Sequence, residues 1–176
     1  MRQETDKIKT EVVLEYLGQH IKTPGTLYIT GGASAVLIGW RDRTVDIDCK
    51  FDPEPGGVYE ALQQAKEKLD VNIELASPDH FIPPVPDWAT RSQFIGRYGK
   101  LAVYHYDFYS QALAKIERGH QRDLLDVESM VKLGLVERKK IGEYYQKIEG
   151  ELLKYPSINQ KAFSKKIERF LNQGSP

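Results

Sequence analysis

Apolar residues recur along this 176-residue chain in two rhythms. Ile8, Val12, Val13, Tyr16 and Leu17 fall at helical spacing, which predicts a first helix over about residues 6 to 20. Thr23-Pro24-Gly25 stops it. Thr26 to Thr30 (TLYIT) reads as a short strand, and Gly31-Gly32 turns the chain into a helix over ASAVLIGW. The rhythm then changes to strict alternation in RTVDIDCKF, where Val45, Ile47, Cys49 and Phe51 share one face and Thr44, Asp46, Asp48, Lys50 and Asp52 the other.

Further on, VYEALQQAKEKL predicts a helix and VNIEL a third strand. The segment SPDHFIPPVPDW carries four prolines and is expected to be a loop without regular structure. SQFIGRY and LAVYHY flank Gly99-Lys100 as a hairpin. From Asp107 the pattern is helical: about 107 to 118, about 121 to 134, RKKIGEYYQKIEGELL, and NQKAFSKKIERFLN after Tyr155-Pro156. The expected class is α+β: a small mixed sheet flanked by helices over residues 1–106, with a helical C-terminal region over 107–176 packed on it as a single structural unit.

Composition narrows the function classes. With 25 basic and 25 acidic side chains, nothing global points to nucleic acid or an anionic membrane, so any basic site must be local. One cysteine, Cys49, forbids an intramolecular disulfide and fits a reducing compartment. The N-terminal MRQETDKIKTEVV is too polar for a signal peptide, and no apolar run reaches membrane-spanning length. A cytoplasmic protein without membrane contact is expected.

The candidate chemistry lies on the polar face of the alternating strand. Asp46 and Asp48 would stand roughly 6–7 Å apart at their Cα atoms and repel each other. A cation offsets that cost, and Mg²⁺ suits it, taking few protein carboxylates and leaving room for water and phosphate oxygens. The competing reading is a solvated strand face with Lys50 as partner. Thirteen residues separate Gly32 from Asp46. A glycine pair at a strand-to-helix turn admits close backbone approach and presents helix N–H groups to phosphate, and Ser34 would add a hydroxyl. A plain tight turn is the alternative. Glu74, on the same side of its strand as Asn72, would serve as general base if the two strands are neighbours, and otherwise is a surface glutamate. Lys115, Arg118 and Arg122 share one helical stripe if their helix is continuous, which Gly119 puts at issue. Local pairing of Arg118 with Asp123 and Arg122 with Asp126 is the competing reading.

In this order, an apolar strand ending in Gly-Gly (GGASA), then Asp-apolar-Asp (RTVDIDCKFD), then apolar-acid-apolar (NIELA) resembles the DNA polymerase β-type nucleotidyltransferase superfamily. LAKIERGHQRDLLDVESM is similar to the AbiEii-like nucleotidyltransferase toxins of bacterial abortive-infection and toxin–antitoxin systems, with Arg122 where such toxins often carry lysine. The resemblance spans Tyr28 to about Leu135. It implies transfer of a nucleoside monophosphate from an NTP to a hydroxyl on RNA, tRNA or protein, and an antitoxin partner. It also implies Mg²⁺, or Mn²⁺ in its place, on Asp46 and Asp48 with Glu74 as third ligand or base. Gly31, Gly32, Ser34, Arg43 and Thr44 would hold the nucleotide. Lys115, Arg118 and Arg122 would neutralise the triphosphate, and Asp123 or Asp126 would complete the catalytic set. A catalytically inactive nucleotide- or partner-binding module on the same fold is the alternative.

Overall fold

A computed structural model describes residues 3–174, so the first two residues of the polar N-terminal stretch lie outside the described residues. The chain divides into two units, each assembled from two segments: residues 1–77 with 92–106, and residues 78–91 with 107–176.

The first unit holds the sheet. Helix α1 (Lys7–His20) starts at Asp6, whose carboxylate accepts from the Lys9 N–H at 2.8 Å, an N-terminal cap that satisfies one of the donors a helix start leaves open. Strands β1 (Gly25–Thr30), β2 (Asp46–Phe51), β3 (Asn72–Glu74), β4 (Gln93–Tyr98) and β5 (Leu101–His105) form one sheet in the order β3-β2-β1-β5-β4. β1 runs antiparallel to β2 and parallel to β5, β3 runs parallel to β2, and β4 is antiparallel to β5. Helix α2 (Gly31–Ile38) follows β1 directly, and α3 (Val58–Leu69) joins β2 to β3.

Alternation settles which face is which. Leu27, Ile29, Ile47, Cys49, Ile73, Leu101 and Val103 are at most 2% exposed and pack with Val13, Leu14 and Leu17 of α1 and Ala61 and Ala65 of α3. Burying such side chains supplies roughly 1.5–3 kcal/mol each, which fixes the strand register, since a slip by one residue would turn each strand's apolar set outward. The opposite face therefore carries Tyr28 and Thr30 of β1, Asp46, Asp48 and Lys50 of β2, and Asn72 and Glu74 of β3. The regular strand is shorter than RTVDIDCKF; Thr44 instead forms an isolated bridge to Thr5.

The second unit is helical. A 3₁₀ turn at Pro78–His80 lies within the proline-rich segment, which is otherwise irregular as its prolines imply, and helix α4 (Trp88–Arg91) begins at the segment's last residue. They belong with α5 (Phe108–Arg118), α6 (Gln121–Lys132), α7 (Arg138–Glu149) and α8 (Gln160–Asn172). Ile82 and Val85 are fully buried, and Arg91 donates to both carboxylate oxygens of Asp107 at 3.1 and 2.9 Å. Asp107 in turn caps α5, accepting from the Tyr109 and Ser110 N–H groups. Two anchors of this kind, apolar and ionic, explain why a loop-like composition is held in place. Phe163, Ile167 and Phe170 form the buried stripe of α8, with Phe163 edge-on to Tyr145 at 5.0 Å.

Candidate active site

The acidic face of the first unit is built by strand pairing. Parallel register sets Asp46 opposite Asn72 and Asp48 opposite Glu74, while antiparallel register sets Asp48 opposite Thr30, the last residue before the diglycine. Asp46, Asp48, Glu74 and Gly31 are therefore brought together on neighbouring elements.

Gly31 adopts φ +62° at the head of α2, a conformation that costs any residue with a Cβ. A Cβ there would stand 2.8 Å from Asp48 Oδ2, so the carboxylate occupies the space a side chain would need. At Gly32 a Cβ would meet Thr44 Cβ at 2.9 Å and the Arg41 guanidinium at 3.4 Å. Both glycines are thus required by close approach, and the approach to Gly31 is made by one of the two aspartates. The Thr30 side chain makes no capping hydrogen bond at the start of α2.

Asn72 is the residue whose part the alternation pattern did not reveal. Its amide nitrogen donates to Asp46 Oδ1 at 2.5 Å and to Glu74 Oε1 at 2.9 Å. The opposite amide orientation would aim an oxygen at two carboxylates, so the donor assignment follows from charge. The sequence did place Asn72 on the acidic side of its strand; pairing with Asp46 depends on β2–β3 register, which no local pattern encodes. Among the described residues no three His, Cys, Asp or Glu side chains are gathered into a group that could hold a metal by themselves; Glu74 lies opposite Asp48 with its carboxylate accepting from Asn72. The donors present, two carboxylates on one strand face beside a backbone cradle, still fit Mg²⁺, which binds through one or two carboxylates plus substrate phosphates.

Two residues of the expected nucleotide set, Ser34 and Thr44, are engaged inside the unit, and a third, Arg43, lies at its surface. Ser34 is fully buried, and its hydroxyl pairs with His105 Nδ1 at 2.7 Å, so the expected hydroxyl contact to phosphate is replaced by an internal link between α2 and β5. Burial lowers the His105 pKa to about 4, which keeps the ring neutral near neutral pH. Thr44 is 8% exposed, donates to the Asp46 carbonyl at 3.1 Å and packs against Gly32, a structural position rather than a contact surface. Arg43 is exposed and pairs with Glu4 at 3.4 Å. On the core face, burial first and the Asp48 charge second push the Cys49 thiol up to about 12, as expected for an inert core thiol.

In the second unit Lys115, Arg118, Asp123 and Asp126 form a separate cluster. Gly119, at φ +72°, ends α5, so Lys115, Arg118 and Arg122 do not share one helix and the expected three-cation stripe is not formed. Lys115 is 6% exposed, with Nζ 2.7 Å from Asp126 and 3.6 Å from Asp123. Arg118 donates to both oxygens of Asp123, at 2.7 and 2.5 Å. Burial alone would raise the Asp123 pKa, but the Arg118 hydrogen bonds and the charges of Arg118, Lys115 and His120 outweigh it and hold the carboxyl below its usual value. Two cations thus face two buried carboxylates. Of the local pairings weighed from sequence, Arg118–Asp123 forms, while Asp126 takes Lys115. Arg122 is exposed.

The structure has no helix, among the described residues, long and apolar enough to cross a membrane. Comparison with known sequences gives one family match: the model described as "Nucleotidyltransferase of unknown function (DUF6036)" covers residues 9–170. No curated protein matches the chain, and no solved structure does. A strand ending in a diglycine, an aspartate pair facing it and a match over nearly the whole length together place the chain: it belongs to the DUF6036 family of nucleotidyltransferases.

Proposed function

We propose that this protein is a Mg²⁺-dependent nucleotidyltransferase that moves a nucleoside monophosphate from an NTP to a hydroxyl acceptor on RNA, tRNA or protein. The observation that carries this reading is the Asp48 carboxylate lying against Gly31, which joins the acidic strand face to the start of α2. Asp46 and Asp48 hold the metal. When bound, Mg²⁺ screens the triphosphate and stabilises the charge that builds on the leaving pyrophosphate. The backbone N–H groups at the head of α2, around Gly31 and Gly32, take phosphate oxygens. Asn72 fixes the Asp46 carboxylate and shields it from Glu74, leaving Glu74 to accept the proton of the attacking hydroxyl. The buried Lys115–Asp126 pair supports its helices instead of meeting the triphosphate.

The toxin-like role, with an antitoxin partner and the AbiEii-like branch, belongs to this proposal and rests on the ordered motifs of the sequence. A second reading has one observation in its favour. Glu74 is tied to Asn72 at 2.9 Å, and a carboxylate engaged in this way suits a module that binds nucleotide without transferring it.

Incubation with each labelled NTP, Mg²⁺ and total bacterial RNA tests the two readings. Label reaching RNA or protein with the native chain, and not with Asp46→Asn/Asp48→Asn, supports transfer. NTP binding without any transfer supports the binding module.

A further inference from the structure

Beside the acids, the same sheet face carries an ordered row of side chains from four strands. Register places Lys50 opposite Tyr28, Tyr28 opposite Tyr104, and Tyr104 opposite Phe94, so β2, β1, β5 and β4 each contribute one residue to a line across the sheet. The rings are in contact: Tyr28 and Tyr104 at 5.7 Å between centroids, Tyr104 and Phe94 at 5.2 Å. Phe94 is 60% exposed, so one end of the ring row is open to a ligand.

A bulge adds a cation to this face. Strict alternation would turn Arg97 to the side opposite Phe94. The register shift between Phe94 and Gly96 resets the alternation, so Arg97 pairs with Ala102 and shares the outer face, while Ile95 and Tyr98 pack on the core. Bulges re-aim side chains in this way. Arg97 is exposed. One step further along β1 and β2, Thr30 faces Asp48 and Asp48 faces Glu74. The face thus has cations at Lys50 and Arg97, the aromatic rings of Tyr28, Tyr104 and Phe94, the Asp52 carboxylate near Tyr28, and the candidate catalytic acids on the adjoining register line.

We propose that this face is a platform for single-stranded nucleic acid, whose bases stack on Phe94 and Tyr104 and whose phosphates meet Arg97 and Lys50. Aromatic rings interleaved with cations on a sheet suit a strand with exposed bases, because stacking accepts any base and the cations track the backbone. As the acceptor site of the transfer reaction, the platform rests on the transferase reading above, and it narrows the acceptor to a single-stranded nucleic-acid end.

The test uses the full chain and fluorescence anisotropy with a labelled 12-nucleotide single-stranded RNA and its DNA counterpart, in parallel with calorimetry of Mg²⁺–NTP binding. The native protein should bind the oligonucleotide in a salt-dependent manner. Phe94→Ala should weaken it about tenfold, the scale of one lost stack. Arg97→Ala should lower the salt slope by about one. Both substitutions are at exposed positions and should leave NTP binding unchanged. Oligonucleotide binding that is absent, or equal in all three proteins, overturns the platform. If NTP binding persists in that case, the transferase reading survives and the acceptor is of another class, with label on protein alone as its signature. Oligonucleotide binding through Phe94 without any NTP binding keeps the surface and overturns its role as acceptor site.

Discussion

The Asp48 carboxylate fills the space that a side chain at Gly31 would need: a Cβ on the glycine would lie 2.8 Å from its Oδ2. The glycine is needed twice over, since its φ of +62° also disfavours a side chain. Gly31→Ala should therefore destabilise the protein by about 1–3 kcal/mol and weaken Mg²⁺–NTP binding through displacement of Asp48. Urea melts and calorimetry check the two effects; an unaltered Kd would detach the glycine from the nucleotide site.

Asn72 donates to Asp46 and Glu74 at once, so replacing its amide by a carboxylate gathers three negative groups where a donor had separated two. Asn72→Asp should lower Tm in chelator and recover more stability on adding Mg²⁺ than the native chain does, by ligand linkage. Thermal melts with and without Mg²⁺ read the difference. Equal Mg²⁺ responses in the two proteins would mean that no cation is held near this position.

Lys115 and Asp126 form a buried pair at 2.7 Å. Removing one partner leaves an uncompensated charge, so Lys115→Met should cost about 3–5 kcal/mol, and Lys115→Met with Asp126→Leu should cost less than the single change. Chemical denaturation of both variants decides it. A stable Lys115→Met protein that has lost NTP binding would instead return Lys115 to the nucleotide.

His105 offers a pH signature. Its folded pKa of about 4 lies below the ordinary 6.5, so below pH 6.5 the unfolded chain takes up a proton that the folded chain refuses. Stability is thus fully present above about pH 6.5 and is lost as pH falls to about 4. At about 1.4 kcal/mol per pH unit the loss is on the order of 3 kcal/mol. His105→Gln should flatten the stability curve across that window, measured by denaturant melts at several pH values. An unchanged slope would assign the window to other groups.

Much of the site was legible because strands alternate. Period two put Asp46 and Asp48 on one face and Ile47 and Cys49 on the other, and the core burial of Ile47 and Cys49 enforces that division. The diglycine stood out because a strand-to-helix turn with close approach has few other solutions. What escaped the sequence depends on register or on tertiary contacts. Asn72 meets Asp46 only because β3 pairs parallel with β2, and Arg97 shares a face with Phe94 only through a bulge. Gly119 was legible as a possible break between Lys115, Arg118 and Arg122, but the pairing of Lys115 with Asp126 was not, and Ser34 gave no sign that a histidine 71 residues away would take its hydroxyl. The proline-rich segment is largely irregular, as its prolines imply, but composition does not display the burial that anchors Ile82 and Val85.

The central claim is that Asp46 and Asp48 hold a divalent cation together with an incoming triphosphate. Electron paramagnetic resonance of Mn²⁺, titrated with the protein and a non-hydrolysable NTP, tests it most directly because it reads bound metal without requiring turnover. The account predicts that, with nucleotide present, the native chain lowers the free Mn²⁺ signal beyond what nucleotide alone removes, and that Asp46→Asn/Asp48→Asn, folded by circular dichroism, adds nothing to the nucleotide's own effect. Equal Mn²⁺ uptake by the native and doubly substituted proteins, or none by either, would contradict it.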